Sequence, residues 1–382
     1  MSIEWKIPLF KIYWDDEDIR AVTKVIRRGT YWAAGPEIEE FEKKVAEYVG
    51  RKYAVAFNSG TSALHAILLA YGIGQGDEVI VPSFTFISTA NAPLFVGAKP
   101  VFAEIEEKTY GLDPEDVKER ITNKTKAIMP IHYGGSPCLH IKDLKEIAQD
   151  HGLLLIEDAA ESLGARIENE MVGSFGDAAM FSFCQNKVIT TGEGGIIVTD
   201  SKEIYEKLKL ICSHGRLETA GYFTSSGQVD YITLGYNFRM PTMIAALGLS
   251  QMEKIDNIVK MRRERAKYYN SLLQKIGGIT LPFETEYLYH VYQMYTIRLD
   301  GYDRDKLKEH LARKGIFTKV YFDPVHLTRF YREKFGYKEG TLPMTEEISK
   351  KVLTLPMYAT LKKEEIDYIA KSIREFIEGE NV

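Results

Sequence analysis

The sequence predicts an α/β protein with a mostly parallel sheet flanked by helices, followed by a small C-terminal α+β domain. Between residues 52 and 200, short apolar runs alternate with helical patterns, which is typical of a parallel sheet covered on both faces. After residue 200, a long helical pattern leads into a region with one alternating strand and further helices. The chain has 382 residues, of which 45% are apolar, so it can bury a large core. We expect a large domain over residues 1–245 and a small domain over residues 246–382.

The large domain is expected to contain seven strands, each of which coincides with a short apolar run. Apolar stripes and end signals mark the helices between them. The helix over residues 140–150 stops at Gly152, and the helix over residues 112–121 opens with Asp113 as its cap and Pro114 in its first turn. The expected strands are Tyr53–Phe57, Glu78–Pro82, Pro100–Glu104, Ala127–His132, Leu153–Glu157, Ala178–Phe183 and Gly195–Val198.

The C-terminal part of the sequence is organised around one long helical pattern. It runs from Pro241 towards Ile276 and is interpreted as a spine that joins the two domains. The irregular stretch before it is rich in Gly, Ser, Thr and Tyr and is long enough to be functional. The expected elements around the spine are a helix at 201–213, the irregular stretch at 215–240, a strand at 291–299, a helix at 303–314, an extended segment at 318–322 and a closing helix at 363–378.

Composition and motif spacing exclude several classes of function. The formal charge is -5 with both signs interspersed, whereas a nucleic-acid-binding protein needs a clustered basic face. Cys138, Cys184 and Cys212 have no paired spacing, and the eight histidines have no metal-ligand spacing. No apolar run approaches the ~18 residues of a membrane span, and the N-terminus lacks the apolar core of a signal peptide. We expect a cytoplasmic protein that acts on a small molecule, without a metal, nucleic-acid or membrane partner.

Three polar features follow predicted strands, at the edge of the sheet where such folds keep their active sites. Residues 58–62, Asn-Ser-Gly-Thr-Ser, open a helix, and small residues with free amides suit a phosphate. Asp158 ends the fifth strand and can hold a positively charged ring nitrogen. Lys187 lies in a loop rich in Ser, Thr and Gly, where a desolvated amine is a natural Schiff-base nucleophile.

Each of these features has a plainer explanation when it is taken alone. Residues 58–62 could be a simple helix cap, Asp158 could be half of an ion pair, and Lys187 could be a surface lysine before a glycine turn. Cys184 could be a thiol nucleophile, although a small buried hydrophobe is the commoner role. The presence of a phosphate cup, an edge aspartate and a loop lysine on one predicted sheet favours a catalytic site.

Five motifs occur in a fixed order along nearly the whole chain: Ser59–Leu64, Pro82–Phe86, Glu157–Glu161, Phe181–Gly195 and Leu234–Met240. With them the sequence resembles the DegT/DnrJ family of sugar aminotransferases, which have fold type I and depend on pyridoxal 5'-phosphate (PLP). Within that family it is most similar to perosamine-synthase-like 4-aminotransferases. Lysine at position 187 argues against the dehydratase branch of the family, where a histidine typically replaces it.

The resemblance implies a role for each motif residue. Lys187 would hold PLP covalently and move a proton between substrate and cofactor, and Asp158 would pair with the pyridinium nitrogen. Phe86 would stack on the ring, and Glu161 would lie near the ring hydroxyl. The residues expected to cradle the phosphate are Gly60, Thr61, Ser62 and Ser182.

The resemblance also implies an assembly and a reaction. Asn237 would reach the phosphate of the neighbouring subunit, which implies a homodimer with shared active sites. His326 is expected to contact the nucleotide sugar, and Arg239 is the candidate for the carboxylate of the donor. The expected reaction moves an amino group from L-glutamate to a nucleotide-linked 4-keto-6-deoxyhexose. A 3-keto sugar or keto-inositol acceptor, or a non-catalytic PLP-binding regulatory protein, are the alternatives, and the divergence of residues 131–138 from the family pattern leaves the sugar open.

Overall fold

The computed structural model describes residues 5–217 and 230–380. These residues form thirteen α-helices and fifteen strands. The helices are α1 (Asp16–Arg28), α2 (Pro36–Val49), α3 (Gly60–Ala70), α4 (Ile87–Phe95), α5 (Pro114–Arg120), α6 (Ile141–His151), α7 (Lys202–Cys212), α8 (Thr242–Met252), α9 (Ile255–Leu273), α10 (Arg304–Arg313), α11 (Arg329–Phe335), α12 (Pro343–Lys351) and α13 (Lys363–Glu380). The strands are β1 (Tyr53–Phe57), β2 (Glu78–Pro82), β3 (Lys99–Ala103), β4 (Thr125–Ile128), β5 (Leu154–Asp158), β6 (Arg166–Ile167), β7 (Glu170–Met171), β8 (Ala178–Ser182), β9 (Gly195–Thr199), β10 (Arg216–Leu217), β11 (Asp230–Tyr231), β12 (Ile279–Thr280), β13 (Leu288–Tyr289), β14 (Tyr295–Leu299) and β15 (Val352–Leu355).

Seven strands form the central sheet, in the order β1-β9-β8-β5-β4-β2-β3. Neighbouring strands from β8 to β3 are parallel, and β9 is antiparallel to both of its neighbours, β8 and β1. All seven strands expected from the sequence lie in this sheet, with small differences at their ends. The predicted α/β class and the mostly parallel sheet are therefore confirmed.

Helices cover both faces of the sheet, because successive side chains of a strand point to opposite faces. On β1, Val55 and Phe57 join the core formed with α3 and α7. Ala54 and Ala56 join a second core, formed with α2 and α9 on the other face. The two cores hold the carboxyl ends of β5 and β8 at one edge of the sheet, and the candidate site lies there.

A third core lies in the C-terminal part of the chain, where β12, β14 and β15 form an antiparallel sheet. This sheet packs with α9, α10 and α13. Ile7 belongs to the same core, and its backbone exchanges hydrogen bonds with Gly315 and Phe317. The expected domain boundary at residues 245 and 246 falls inside α8. The division into domains over residues 1–245 and 246–382 stays a prediction.

The expected spine helix is wrong in one respect, since two helices, α8 and α9, occupy this stretch. Lys254 lies between them, and its Nζ forms ion pairs of 2.7 Å with both Asp15 and Asp18. The Gln251 amide also donates to Asp18, at 3.0 Å. No proline or glycine marks the break in the sequence. The break arises from these contacts with the start of α1. Because their partners lie outside the stretch, its helical pattern does not indicate them.

Other parts of the chain differ from the sequence expectations in smaller ways. Elements that were not predicted from the sequence include the helices α1, α2, α11 and α12 and the strand β15. Within the irregular stretch at 215–240, residues 218–229 lie outside the described residues. The segment at 318–322 is extended, and Lys319 pairs with Thr354 of β15. In the ranges that the structure covers, no helix is both long and apolar enough to cross a membrane.

Candidate active site

A cavity of about 460 Å³ opens at the carboxyl edge of the central sheet. It lies between the ends of β5 and β8, the first turn of α3, the first turn of α4 and the extended segment at 318–322. The expected site residues that line it are Gly60, Thr61, Phe86, Asp158, Glu161, Ser182 and Lys187. The structure therefore brings most of the residues expected around a cofactor into one cavity.

Asp158 ends β5, and its side chain is held by two donors. Its Oδ2 accepts a hydrogen bond of 2.6 Å from the hydroxyl of Thr89, and its Oδ1 accepts one of 3.2 Å from the amide of Ala160. Burial raises the pKa of Asp158, although these two donors oppose the rise. Within the described chain no Lys, Arg or His forms an ion pair with this carboxyl group. A buried acid without such a partner is suited to receive a cation.

Lys187 follows β8 in a loop, and its amine is directed into the cavity. Its Nζ lies 3.4 Å from Oε1 of Glu161, and both side chains are largely buried. The other oxygen of Glu161, Oε2, accepts a hydrogen bond of 2.8 Å from the amide of Gly134. The lysine amine is thus held by a carboxylate that is itself anchored to the backbone, in the same cavity as Asp158.

The first turn of α3 forms a cup of backbone amides. Ser59 caps the helix, and its hydroxyl accepts a hydrogen bond of 3.1 Å from the amide of Ser62. The amides of Gly60 and Thr61 have no hydrogen-bond partner within the described part of the chain. They line the cavity at the positive end of the helix dipole, which is an arrangement that binds phosphate.

Two glycines, Gly60 and Gly195, pack closely under this cup. A Cβ atom at Gly60 would lie 3.1 Å from Sδ of Met180 and 3.3 Å from Cβ of Ser182. A Cβ atom at Gly195 would lie only 2.5 Å from the carbonyl oxygen of Ser59 and 2.6 Å from the amide nitrogen of Gly60. The start of β9 therefore supports the cup from below, and no larger residue fits there without moving it.

Phe86 presents its ring to the cavity at the start of α4. It is 59% exposed, although it is a large apolar residue next to buried strand β2. Across the cavity mouth lies Phe322, whose ring centroid is 6.5 Å from that of Phe86. An exposed aromatic face at this point can stack on a planar ligand.

Three further expected residues lie outside the lining of the cavity. The hydroxyl of Ser62 donates to Oδ1 of Asn58 at 2.6 Å, so it supports the cup from behind. Asn237 is exposed, and its carbonyl accepts a hydrogen bond of 3.4 Å from Asn58. Arg239 donates to the hydroxyl of Ser213 at 3.2 Å. In this single chain, neither Asn237 nor Arg239 faces the cavity.

The expectation for His326 is corrected by the structure, because its ring is fully buried. Its Nδ1 lies 2.7 Å from the hydroxyl of Ser83, and its Nε2 lies 3.1 Å from Oε1 of Glu346. Burial lowers the pKa of His326, with the Glu346 carboxylate opposing the effect. Both ring nitrogens of His326 are engaged, and the ring has no exposed surface. It therefore joins the segment after residue 322 to β2 and α12 and does not contact a substrate.

Ile131 and His132, the first two residues of the stretch at 131–138 that departs from the family pattern, line the floor of the cavity. His132 lies fully buried, with its Nε2 at 3.0 Å from Oε2 of Glu157. Burial would raise the pKa of Glu157, but hydrogen bonds from His132 and from the amides of Gly176 and Gly173 hold it below its ordinary value. The floor is thus rigidly tied to the end of β5, immediately before Asp158.

Sequence reasoning missed two groups of residues at this site. Thr85 and Thr89 lie beneath Asp158, and nothing in a helical pattern distinguishes them from ordinary buried threonines. Lys319 lines the cavity mouth, with its Nζ 4.7 Å from the centre of the Tyr321 ring. The sequence signal for this position is a basic residue next to the aromatic pair at 321 and 322.

The family model for DegT/DnrJ/EryC1/StrS aminotransferases matches residues 13–374. The chain belongs to this family. It is 38% identical over 343 residues to GDP-perosamine synthase from Escherichia coli O157:H7, which covers 90% of each chain. It is 33% identical over 389 residues to a UDP-4-amino-4-deoxy-L-arabinose--oxoglutarate aminotransferase from Shewanella sediminis, with 99% of each covered. The structure of Spr1654 from Streptococcus pneumoniae in its PLP form is similar with a TM-score of 0.91 and 26% identity, over 98% of this chain and 99% of that one.

This aminotransferase therefore belongs to a class that depends on PLP and acts on nucleotide sugars, as the sequence resemblance implied. Its residues fit that cofactor. The buried carboxyl of Asp158 suits a protonated ring nitrogen, the amides of Gly60 and Thr61 suit a phosphate, and Lys187 supplies the amine.

Proposed function

We propose that this aminotransferase transfers the amino group of L-glutamate to a nucleotide-linked 4-keto-6-deoxyhexose. The observation that carries the amino transfer is the presence of Lys187, Asp158 and the Gly60–Thr61 amides in one cavity. The proposed acceptor rests on relatives whose names include perosamine and 4-amino-4-deoxy-L-arabinose. The proposed donor rests on the second of these names, which also includes oxoglutarate, the keto acid that glutamate leaves behind.

Bound PLP supplies an electron sink through which an amino group can leave one carbon and join another. In the proposal, Lys187 holds the cofactor and then carries the proton between the two carbons. Glu161 keeps the released amine within reach, because its carboxylate is anchored to Gly134. Asp158 holds the ring nitrogen in its protonated form, and the Gly60 and Thr61 amides fix the phosphate.

Lys319 is the proposed anchor for the diphosphate of the nucleotide sugar. Its side chain is exposed at the cavity mouth, and its backbone is fixed by hydrogen bonds of 3.2 and 2.9 Å with Thr354. Lys187 is the other lysine in the lining and already faces Glu161. A cation without a carboxylate partner in the described ranges, in the same cavity lining as the half-buried ring of Phe322, suits a substrate that carries both phosphate and a planar base.

We further propose that the enzyme is a homodimer with shared active sites, in which Asn237 serves the partner's cofactor. Asn237 is exposed and does not face the cavity of its own chain. The segment that leads to it carries large apolar side chains in solvent, with Leu234 77%, Tyr231 58% and Ile232 52% exposed. Exposed apolar residues so close together are typical of an interface. We also propose a cytoplasmic location, which is supported by the presence of only three cysteines, with no spacing typical of a disulfide framework.

The visible absorbance of the PLP-loaded enzyme tests the reaction. L-glutamate should bleach the band of the lysine-bound cofactor, and GDP-4-keto-6-deoxymannose should restore it. Lys187→Ala should lack the band, whereas Lys338→Ala, a change of an exposed surface lysine, should behave as the wild type. Restoration by a 3-keto sugar or keto-inositol alone would replace the proposed acceptor. A band that no amino donor bleaches would mark a regulatory PLP-binding protein and would overturn the proposal.

A further inference from the structure

Two threonines form a chain of hydroxyl groups beneath Asp158. Thr89 lies in the first turn of α4, and Thr85 lies four residues before it. The hydroxyls of Thr85 and Thr89 are 2.7 Å apart, and that of Thr89 lies 2.6 Å from Oδ2 of Asp158. Thr89 is fully buried and lies outside the lining of the cavity, whereas Thr85 is 3% exposed and belongs to that lining.

The carboxylate of Asp158, at the end of this chain, determines which group donates in each hydrogen bond. An ionised carboxylate only accepts, so the single hydroxyl proton of Thr89 is given to Asp158. Thr85 must then donate its own proton to the oxygen of Thr89. Donation from Thr85 makes the Thr89 hydroxyl a better donor, because successive hydrogen bonds polarise one another. Both protons thus point towards the charge on Asp158.

We propose that Thr89, oriented by Thr85, is a positioning residue that keeps Asp158 ionised and aimed at the ring nitrogen of the cofactor. The inference rests on the PLP chemistry of the family and not on the identity of the sugar. Thr89 acts on Oδ2 while the amide of Ala160 acts on Oδ1, so the two donors fix the plane of the carboxylate. Without the hydrogen bond from Thr89, the buried carboxylate of Asp158 would become protonated and could no longer pair with a cation.

Removal of the hydroxyl at constant shape tests this role. Thr89→Val in the PLP-free enzyme should weaken PLP binding about tenfold or more, the usual effect of losing a hydrogen bond to a charged group. The bound cofactor should also lose its ring proton at lower pH, which a spectrophotometric pH titration measures. Thr89→Ser should restore both properties to within about twofold of the wild type, and Thr85→Val should give a smaller change in the same direction.

Thr345 provides a matched control, because it is also fully buried and donates to a carboxylate, that of Glu104, at 2.7 Å. Thr345→Val should lower the melting temperature without changing PLP affinity or the pH titration. If Thr89→Val matches Thr345→Val in all three properties, Thr89 has only a structural role and the inference fails. These measurements use neither donor nor sugar, so their failure is distinct from a failure of the proposed amino transfer.

Discussion

Glu161 connects Lys187 to the backbone of Gly134: its Oε1 lies 3.4 Å from the lysine Nζ, and its Oε2 accepts the glycine amide at 2.8 Å. The carboxylate is therefore not free to follow the amine, and the amine has a fixed position to which it can return. If Lys187 holds the cofactor and carries the proton, as proposed, such a fixed position would shorten its search for the reacting carbon.

Glu161→Ala is expected to slow the half-reaction with glutamate about tenfold, because the amine loses its fixed partner. Glu161→Gln keeps one acceptor oxygen, which can serve either Lys187 or the Gly134 amide, and should give a smaller loss of rate than Glu161→Ala. Stopped-flow absorbance of the loaded enzyme measures the rate. Equal losses in both variants would show that the charge of Glu161 matters more than its position.

Lys319→Ala is expected to raise the KM for the nucleotide sugar about tenfold, which corresponds to about 1.4 kcal/mol of lost attraction to the diphosphate. The kcat and the KM for glutamate should change less than twofold. Lys319→Arg should preserve the sugar KM, and Lys338→Ala serves as the surface control. A rise in the KM for glutamate instead would assign Lys319 to the carboxylate of the donor.

Gly195→Ala is expected to displace the phosphate cup, because the new methyl group would meet the Ser59 carbonyl and the Gly60 amide well inside contact distance. PLP affinity should fall at least ~10-fold, since the free amides of the cup lose their alignment. Gly277→Ala is the matched control, as a Cβ atom there has no neighbour within 4 Å. Equilibrium dialysis of PLP measures both, and unchanged affinity in Gly195→Ala would contradict the assignment of the cup.

His290 gives the protein an acid-sensitive stability. Its ring is buried against Tyr292, its Nδ1 accepts the Tyr292 amide at 2.8 Å, and burial lowers the pKa of His290 to about 3. In the unfolded chain the pKa is about 6.5, so unfolding takes up a proton at any pH between the two values. Stability should therefore fall as the pH drops below about 6.5 and level off near the folded pKa.

The contribution of His290 is measured by chemical unfolding at pH 7 and pH 5. The wild type should lose about 1–2 kcal/mol more than His290→Gln over this interval. Equal slopes in the wild type and His290→Gln would contradict the prediction.

The sequence analysis located the parts of the site that depend on local order along the chain. Asp158 and Lys187 follow apolar runs that become buried strands, and Gly60 follows another, so a parallel sheet was enough to place them at one edge. The seven strands were predicted for the same reason. The strands could be predicted without knowledge of their pairing partners, because a strand that is buried on both faces appears in the sequence as an apolar run.

The residues that were misjudged depend on partners far away in the chain. His326 was expected to contact the nucleotide sugar, but its ring nitrogens bond to Ser83, which is 243 residues away, and to Glu346. The break between α8 and α9 is caused by Asp15 and Asp18, more than two hundred residues before Lys254. Contacts of this kind leave no periodic signal in the sequence, which is also why Thr89 was not recognised.

The order of strands in the central sheet also determines when the phosphate cup can form during protein synthesis. Strand β1, which leads directly into the cup, lies at the edge of the sheet and pairs with β9, and its last residue, Phe57, faces Gly195. On the ribosome, β1 emerges long before its partner does. A nascent chain that ends before β9 would already contain Asp158 and Lys187 and yet lack the support beneath Ser59 and Gly60. We therefore expect the cofactor to be captured only after β9 has been synthesised and has paired with β1.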